Sequence, residues 1–168
     1  MLYLQHMTRS LDDIDFTVMG RTCFGHTARR TANLLTRHYN RHMAPVGLEL
    51  TQAQLLAVIA DGSAPSASAI ARYLGIDRST LARNLKPLEA AGLIRRCETG
   101  GRTVLPVLTP VGEAKVIEIH EAWTRAQTEL STLLGPEGAE AVRGHMSALR
   151  KAVHILEDED KEAASGGD

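Results

Sequence analysis

The stretch that decides the fold is residues 66–112, which read SASAIARYLGIDRSTLARNLKPLEAAGLIRRCETGGRTVLPVLTPVG. It predicts a short helix that begins at Ser66 and ends at Gly75, followed by a second helix that Asp77 caps. Two strand-like runs follow, joined by a turn at residues 99–102. This order of elements is typical of a helix-turn-helix with a basic β-hairpin, which places one helix in a DNA major groove.

The outward face of the second helix carries the side-chain types that read DNA. With Leu81, Leu85 and Leu88 turned inward, its first turns expose arginine, which grips guanine, asparagine, which pairs with adenine, and hydroxyls, which reach phosphates or bases. The alternative is a solvated polar face without a ligand. The predicted DNA-binding residues are Ser66, Ser68, Arg78, Ser79, Thr80, Arg83, Asn84, Lys86 and Arg102.

Charge is distributed unevenly along the 168 residues, although the net charge is −1. Residues 66–102 carry seven basic and three acidic side chains, and residues 21–43 carry five arginines and no acid. Residues 111–168 carry six basic and twelve acidic side chains. A polyanion would therefore contact the middle of the chain and avoid its end, unless the charges are merely sorted by helix face.

Composition narrows the class of protein. Hydrophobic residues make up 43% of the chain and aromatic residues 4%, so the core must be built of Leu, Ile, Val and Ala. No apolar run is long enough for a membrane, the first residues do not have the charged-then-apolar pattern of a signal peptide, and two cysteines are too few for a disulfide framework. We therefore expect a cytoplasmic protein. The motifs of phosphate loops, nucleophile elbows and paired carboxylates are missing, so we expect neither an enzyme nor a cofactor.

Helices are predicted on both sides of the central stretch. Before it, residues 21–43 form a long helix that Pro45 and Gly47 end, and Thr51 caps the next helix. After it, two helices separated at Gly135 each carry a heptad stripe of apolar residues. The stripes are Val116, Ile119, Trp123, Ala126, Leu130 and Leu133, and then Ala139, Val142, Met146, Leu149, Val153 and Leu156. They could pack on one another within the chain, but we favour dimerisation through them, because a small winged helix buries its core without them.

The expected fold is mainly α with a small β-hairpin wing. Residues 1–47 are predicted to form N-terminal dimerisation helices, and residues 48–110 a winged helix-turn-helix lobe that binds double-stranded DNA. Residues 111–157 are predicted to form C-terminal dimerisation helices. Residues 158–168 are acidic and rich in Gly and Ser, and are predicted to be a disordered tail.

Four stretches of the sequence together resemble the MarR family of winged-helix transcriptional regulators, over roughly residues 20–155. They read TRHYNRHMAPVGL, LTQAQLL, IDRSTLARNLKPLEAAGLI and LTPVG. The resemblance implies an obligate homodimer with a cleft between each DNA-binding lobe and the dimerisation helices. Many members bind a phenolic or aromatic effector in that cleft and release DNA. One departure is that the family wing carries an Asp two residues before an Arg, whereas Gly100 precedes Arg102 here, so we expect a more mobile wing tip.

An effector cleft is predicted where the first long helix approaches the helix after the wing. An aromatic wall together with Arg and His donors suits an aromatic acid or a phenol. The alternative is that these aromatic side chains only pack in the core or the dimer interface. The predicted effector-binding residues are Arg37, His38, Tyr39, His42, His120 and Trp123.

Cys23 supports a second hypothesis. It precedes a basic helix segment, where arginines or helix N-terminal amides would stabilise a thiolate. The resemblance implies that some members sense oxidants through a thiol close to this place, so Cys23 is the candidate redox residue. The alternative is an ordinary buried small side chain. A third hypothesis is a winged-helix protein-interaction module that no longer binds DNA.

Two histidines are also candidate metal ligands. His38 and His42 are four residues apart on one helix face and could share an ion. No third ligand has a fixed spacing to them, so the sequence predicts no metal site. The leading hypothesis remains a sequence-specific transcriptional regulator, a repressor released from a near-palindromic operator by a small effector.

Overall fold

The computed structural model describes residues 10–98 and 104–165 of the chain. Its helices and strands, in chain order, are α1 (Phe16–Thr22), α2 (Phe24–Met43), α3 (Leu50–Asp61), α4 (Ala67–Leu74), α5 (Arg78–Ala90), β1 (Ile94–Glu98), β2 (Val104–Leu108) and α6 (Pro110–Ser165). Short 3-10 helices occupy Leu11–Asp13 and Ala44–Val46. The predicted class, mainly α with a two-stranded hairpin, is confirmed.

The core is aliphatic and centred on α3. Leu55 and Leu56 are fully buried, as are Met43 at the end of α2 and Leu88 of α5. Ile119 of α6 belongs to the same cluster. The start of α6 and the end of α2 are therefore packed into the core of the helix-turn-helix lobe, and each buried leucine contributes roughly 1.5–3 kcal/mol.

The start of α3 corrects one prediction. Thr51 lies inside the helix, and the N-cap is Glu49. The Leu50 N–H donates to Oδ1 of Asn40 in α2 at 2.7 Å, and the Glu49 N–H donates to Oε1 of Gln52 at 2.9 Å. A side chain from another helix thus fixes where α3 begins, and the local sequence could not reveal that.

The wing is an antiparallel hairpin whose register runs from Ile94 opposite Leu108 to Glu98 opposite Val104. Its tip, including Gly100 and Arg102, lies outside the described residues, so the expectations for the tip remain predictions. Thr109 follows β2 and anchors the start of α6. Its hydroxyl donates to the Gly92 carbonyl at 2.6 Å and accepts from the Gly112 N–H at 3.1 Å.

The long C-terminal helix α6 is interrupted where the sequence predicts a break. Gly135 has φ 68° and ψ 165°, outside the helical region. The helix then continues to Ser165, so the prediction of a disordered tail is wrong for residues 158–165. Five of these eight residues, the two Glu, the two Ala and Lys161, are good helix formers, and Lys161 pairs with Asp158 at 2.8 Å. Residues 166–168 lie outside the described residues.

The two heptad stripes differ in what covers them. Ile119 and Ala126 of the first stripe are buried within the chain, whereas Leu133 is 85% exposed. Val142, Met146, Val153 and Leu156 of the second stripe are all exposed. Ala139 is buried and Leu149 is half-buried, so the stripe after Gly135 is covered within the chain at these two positions and exposed at the other four.

The side chain of Tyr73 corrects another prediction. The spacing of apolar residues in the predicted helix from Ser66 to Gly75 assigns Tyr73 to the core, but its side chain is 79% exposed. Ile70 and Ala71 fill the buried side of the short α4, and Tyr73 lies over a surface groove near Pro65.

No single helix in the described ranges is long and apolar enough to cross a membrane. One bent pair, Phe24–Val46 with Leu50–Asp61, satisfies the length and composition criteria at an angle of 74°.

Candidate nucleic-acid interface

Helices α4 and α5 are joined by a tight turn that fixes the start of the recognition helix. Gly75 ends α4 with φ 65°, a left-handed conformation that favours glycine. Asp77 then caps α5, as predicted, and its carboxylate accepts hydrogen bonds from the Ser79 hydroxyl at 2.6 Å and the Thr80 N–H at 2.7 Å. A third comes from the Thr80 hydroxyl at 2.7 Å. These hydrogen bonds hold the pKa of Asp77 far below its usual range, so the cap is charged at neutral pH.

The same contacts decide what Ser79 and Thr80 can offer to DNA. Both hydroxyl protons are donated to Asp77, so their oxygens would meet an external partner as acceptors. The Thr80 oxygen also accepts from Nη2 of Arg83 at 3.0 Å, and Thr80 is half-buried. Thr80 therefore positions Arg83, while Ser79 is exposed and accessible.

The outward face of α5 has the predicted polarity. Leu81 and Leu88 are buried and Leu85 is half-buried, as the spacing requires. The exposed face carries Arg78, Ser79, Arg83 and Lys86, with Asn84 half-buried at its side. Within residues 10–98 and 104–165, none of the ion pairs involves these basic side chains. Their charges are therefore not neutralised by the carboxylates of the described residues.

The start of α4 gives a second set of polar groups. The Ser66 hydroxyl oxygen caps the helix by accepting from the Ala69 N–H at 3.1 Å, and Ser66 and Ser68 are both half-buried. Because the Ser66 oxygen accepts this hydrogen bond, Ser66 can contact a phosphate by donating its hydroxyl proton.

An ion pair between the wing and the recognition helix was not predicted. Nε of Arg96 lies 3.1 Å from Oε1 and 3.3 Å from Oε2 of Glu89. Arg95, on the opposite face of β1, is exposed. Because side chains alternate along a strand, the sequence predicts that at most one of Arg95 and Arg96 faces DNA. It does not predict a partner for Arg96 seven residues away across a turn.

The predicted effector residues do not form one pocket. His120 and Trp123 line a largely apolar cavity of about 230 Å³ between α3 and α6, together with Met43, Gln54 and Ile119. The rings of His120 and Trp123 lie 5.9 Å apart.

The other four predicted effector residues lie elsewhere. Tyr39 donates to Oε1 of Gln127 at 2.5 Å, and burial raises the pKa of its hydroxyl. His38 and His42 contact the same stretch of α6. Arg37 lies on the exposed side of α2, in a shallow groove with Arg30. Residues of α2 that are neighbours in sequence thus face different surroundings. The six residues do not line one cavity in the single chain, and their assignment to an effector stays a prediction.

Cys23 divides the predicted helix 21–43 into two. It is the C-cap of α1 and the N-cap of α2, and its Sγ accepts from the His26 N–H at 3.4 Å. The thiol is exposed, so the alternative of a buried small side chain is wrong for the single chain. Cys97, on β1, is half-buried.

The chain is similar in sequence to known transcriptional regulators. Residues 46–103 match the sequence model of the MarR family. The HTH-type transcriptional regulator YwoH of Bacillus subtilis is 28% identical over 117 residues, which span 69% of this chain and 85% of YwoH.

Solved structures share the fold over most of the chain. The M. tuberculosis transcriptional regulator MosR is 30% identical with a TM-score of 0.71, covering 81% of this chain and 98% of MosR. MosR in complex with DNA matches with the same identity of 30% and TM-score of 0.71, covering 80% and 98%. The transcriptional repressor CouR bound to p-coumaroyl-CoA is 22% identical with a TM-score of 0.71, covering 82% and 97%.

Proposed function

Because this chain belongs to the MarR family of transcriptional regulators, we propose that it is a repressor that binds a near-palindromic DNA operator as a homodimer and leaves it when a small aromatic molecule binds. The observation that carries the proposal is the exposed basic face of α5. Helix α5 begins directly after the Asp77 cap, which fixes the position of the helix start. The side chains of its first two turns are therefore held in defined positions for contact with DNA.

The chemistry of that face suits base reading in the major groove. Arg78 and Arg83 are exposed, and Arg83 is held at one end by Thr80. A guanidinium without a carboxylate partner is available for guanine or phosphate, and a good bidentate contact to a base discriminates by about 1–3 kcal/mol. MosR, a relative that has been solved in complex with DNA, supports the same partner for this chain.

The uncovered apolar side chains near both ends of the described chain support the homodimer. Phe24 is 74% exposed, and four of the six residues of the second heptad stripe are exposed on α6. Large contiguous apolar surfaces on a soluble protein indicate an interface. A second copy related by a twofold axis would cover them, and would place its α5 one DNA turn from the first, about 34 Å away.

The cavity at Trp123 supports the aromatic effector. Its wall is apolar except for the His120 imidazole and the Gln54 amide, so it favours a flat ligand with few polar groups. CouR, which shares the fold, is bound to p-coumaroyl-CoA, a ligand that carries an aromatic ring. The cavity lies between α3 of the lobe and α6, so a ligand there can alter the placement of the lobe and thereby the spacing of the two recognition helices.

Selection of bound fragments from genomic DNA tests the proposal most directly. We expect enrichment of a near-palindrome, a much tighter dissociation constant for it than for a scrambled duplex, and a steep loss of affinity with salt. Transcription from a promoter carrying the selected site should fall when the protein is added. Equal affinity for both duplexes would instead favour the protein-interaction module, and increased transcription would contradict the repressor.

The position of Cys23 favours a second candidate, an oxidant-gated repressor. The thiol is exposed at the N-terminus of α2, so a hydroperoxide can reach its sulfur. Operator binding should then be lost in hydroperoxide and restored by a thiol reductant. Cys23→Ser should abolish this loss and Cys97→Ser should preserve it; release that survives Cys23→Ser would exclude Cys23 as the sensor.

A further inference from the structure

We propose that His38, His42 and Glu129 form a binding site for a divalent transition-metal ion, with Zn²⁺ as the first choice, that joins α2 to α6. His38 and His42 lie one helical turn apart on α2, and Glu129 comes from α6. One ligand atom from each of the three side chains lies within 4.8 Å of the other two. Glu129 supplies the third ligand that spacing along the sequence could not identify.

The distance between the His42 and Glu129 ligand atoms is close to that expected around a coordinated ion. Nε2 of His42 lies 3.1 Å from Oε2 of Glu129. In a tetrahedral zinc site with bonds of 2.0–2.1 Å, neighbouring ligand atoms are about 3.4 Å apart. One edge of the site is therefore already formed, and the ligand atom of His38 lies within 4.8 Å of the ligand atoms of the other two residues.

The hydrogen bonds of His38 fix its ring in a form that can bind a metal. Nε2 lies 3.0 Å from the carbonyl oxygen of Ala126, which can only accept, so Nε2 carries the proton. Nδ1 then holds the lone pair, and Nη2 of Arg41 lies 3.1 Å from it. Metal-binding histidines commonly donate their other N–H to a backbone carbonyl in this way. An ion that binds Nδ1 of His38 must therefore displace the guanidinium of Arg41 from it.

Burial and ligand type specify the class of ion. The side chain of His42 is 17% exposed and that of Glu129 is 57% exposed, so the site is walled on one side and open to solvent on the other. Water can enter as a fourth ligand. Two imidazoles and one carboxylate favour zinc, nickel, cobalt or copper over magnesium and calcium, which prefer oxygen ligands alone.

The chain contains a matched control. His154 and Glu157 on α6 form another histidine–glutamate contact at 3.2 Å, but both are exposed and the described residues supply no third ligand there. His154→Gln therefore removes a histidine of the same kind from a site that should not hold an ion.

The experiment is a zinc titration of the full, chelator-treated protein in competition with a chromophoric chelator. We expect one zinc ion per subunit, at least about tenfold weaker binding in His42→Gln and in Glu129→Gln, and unchanged binding in His154→Gln. Arg41→Gln should bind zinc more tightly, because it removes the cation beside Nδ1. Circular dichroism checks folding, and the exposed Glu129 position decides the question if His42→Gln does not fold.

Three results would overturn the site. The first is absence of zinc binding by the wild-type protein. The second is equal affinity in the wild type, His42→Gln and Glu129→Gln. The third is a Co²⁺ spectrum dominated by sulfur-to-metal charge transfer, which would place the ion on Cys23 or Cys97. Failure of Arg41→Gln to tighten binding would contradict Nδ1 of His38 as the ligand atom.

Discussion

Gly112 lies so close to Leu93 that a Cβ atom added to Gly112 would be 1.9 Å from the Leu93 carbonyl oxygen. That carbonyl also accepts from the Thr109 N–H at 3.0 Å. The first turn of α6 is thus pressed against the backbone that leads into the wing. Only glycine allows this approach, and the approach sets the angle at which α6 leaves the DNA-binding lobe.

Gly112→Ala should therefore destabilise the protein by about 1–3 kcal/mol, because a backbone carbonyl cannot move aside as a flexible side chain would. Urea denaturation measures the change. Gly144→Ala is the control, since nothing lies within 4 Å of its Cβ position. That exposed helical site should instead become more stable by roughly 0.5–1 kcal/mol. The same effect at both positions would contradict the close approach.

Asp77→Ala should lower the urea midpoint of unfolding at neutral pH, because the cap of α5 is lost. The native-state pKa of Asp77 is lowered, so its contribution to stability is fully present above the unfolded pKa of about 4 and is lost as the pH falls further. Urea midpoints between pH 2 and pH 7 should converge for the wild type and Asp77→Ala at the acidic end. Asp77→Asn should keep most of the cap without this pH dependence; a wild-type advantage over Asp77→Ala that does not shrink in acid would argue against a charged cap.

Arg83→Ala and Ser79→Ala should each weaken binding to the selected operator by about 1–3 kcal/mol while leaving the protein folded. Both side chains are exposed on the first turns of α5. Fluorescence anisotropy with a labelled operator gives the dissociation constants. Arg125→Ala, which removes an exposed arginine from α6, serves as the control. Unchanged affinity in both α5 variants would remove this face as the reading surface.

Leu149→Glu should produce monomers, because it puts a charge into an interface that buries the second heptad stripe. Sedimentation velocity measures the oligomeric state. Ser147→Glu adds the same charge at an exposed position about 160° away around the helix and should leave the dimer intact. Dimers in both variants would show that the stripe is not the interface.

Trp123→Leu and His120→Ala should reduce the effect of an aromatic effector on operator release, because both side chains line the cavity between α3 and α6. His42→Ala should not, because His42 contacts Glu129 instead. A panel of phenols and aromatic acids, followed by Trp123 fluorescence and operator release, distinguishes the two locations. Release that depends on His42 and not on Trp123 would place the effector site between α2 and the later part of α6.

The recognition helix could be predicted from the sequence because its determinants are local. The cap at Asp77, the end of α4 at Gly75 and the buried face of Leu81 and Leu88 all follow from residue type and spacing within a few turns. The same holds for the break at Gly135, where a left-handed glycine precedes a proline. The polar, outward composition of α5 then indicated its partner.

The contacts between elements depend on how the helices pack against one another, and the spacing of residues along the chain does not predict this packing. Asn40 fixes the start of α3, Glu89 holds Arg96, and Glu129 reaches His42 across 87 positions of sequence. The six predicted effector residues lie in separate surroundings for this reason. Successive side chains of α2 point in directions about 100° apart around the helix. Which of Arg37, Tyr39 and His42 contact α6 therefore depends on where α6 packs against α2, and the sequence alone does not determine that.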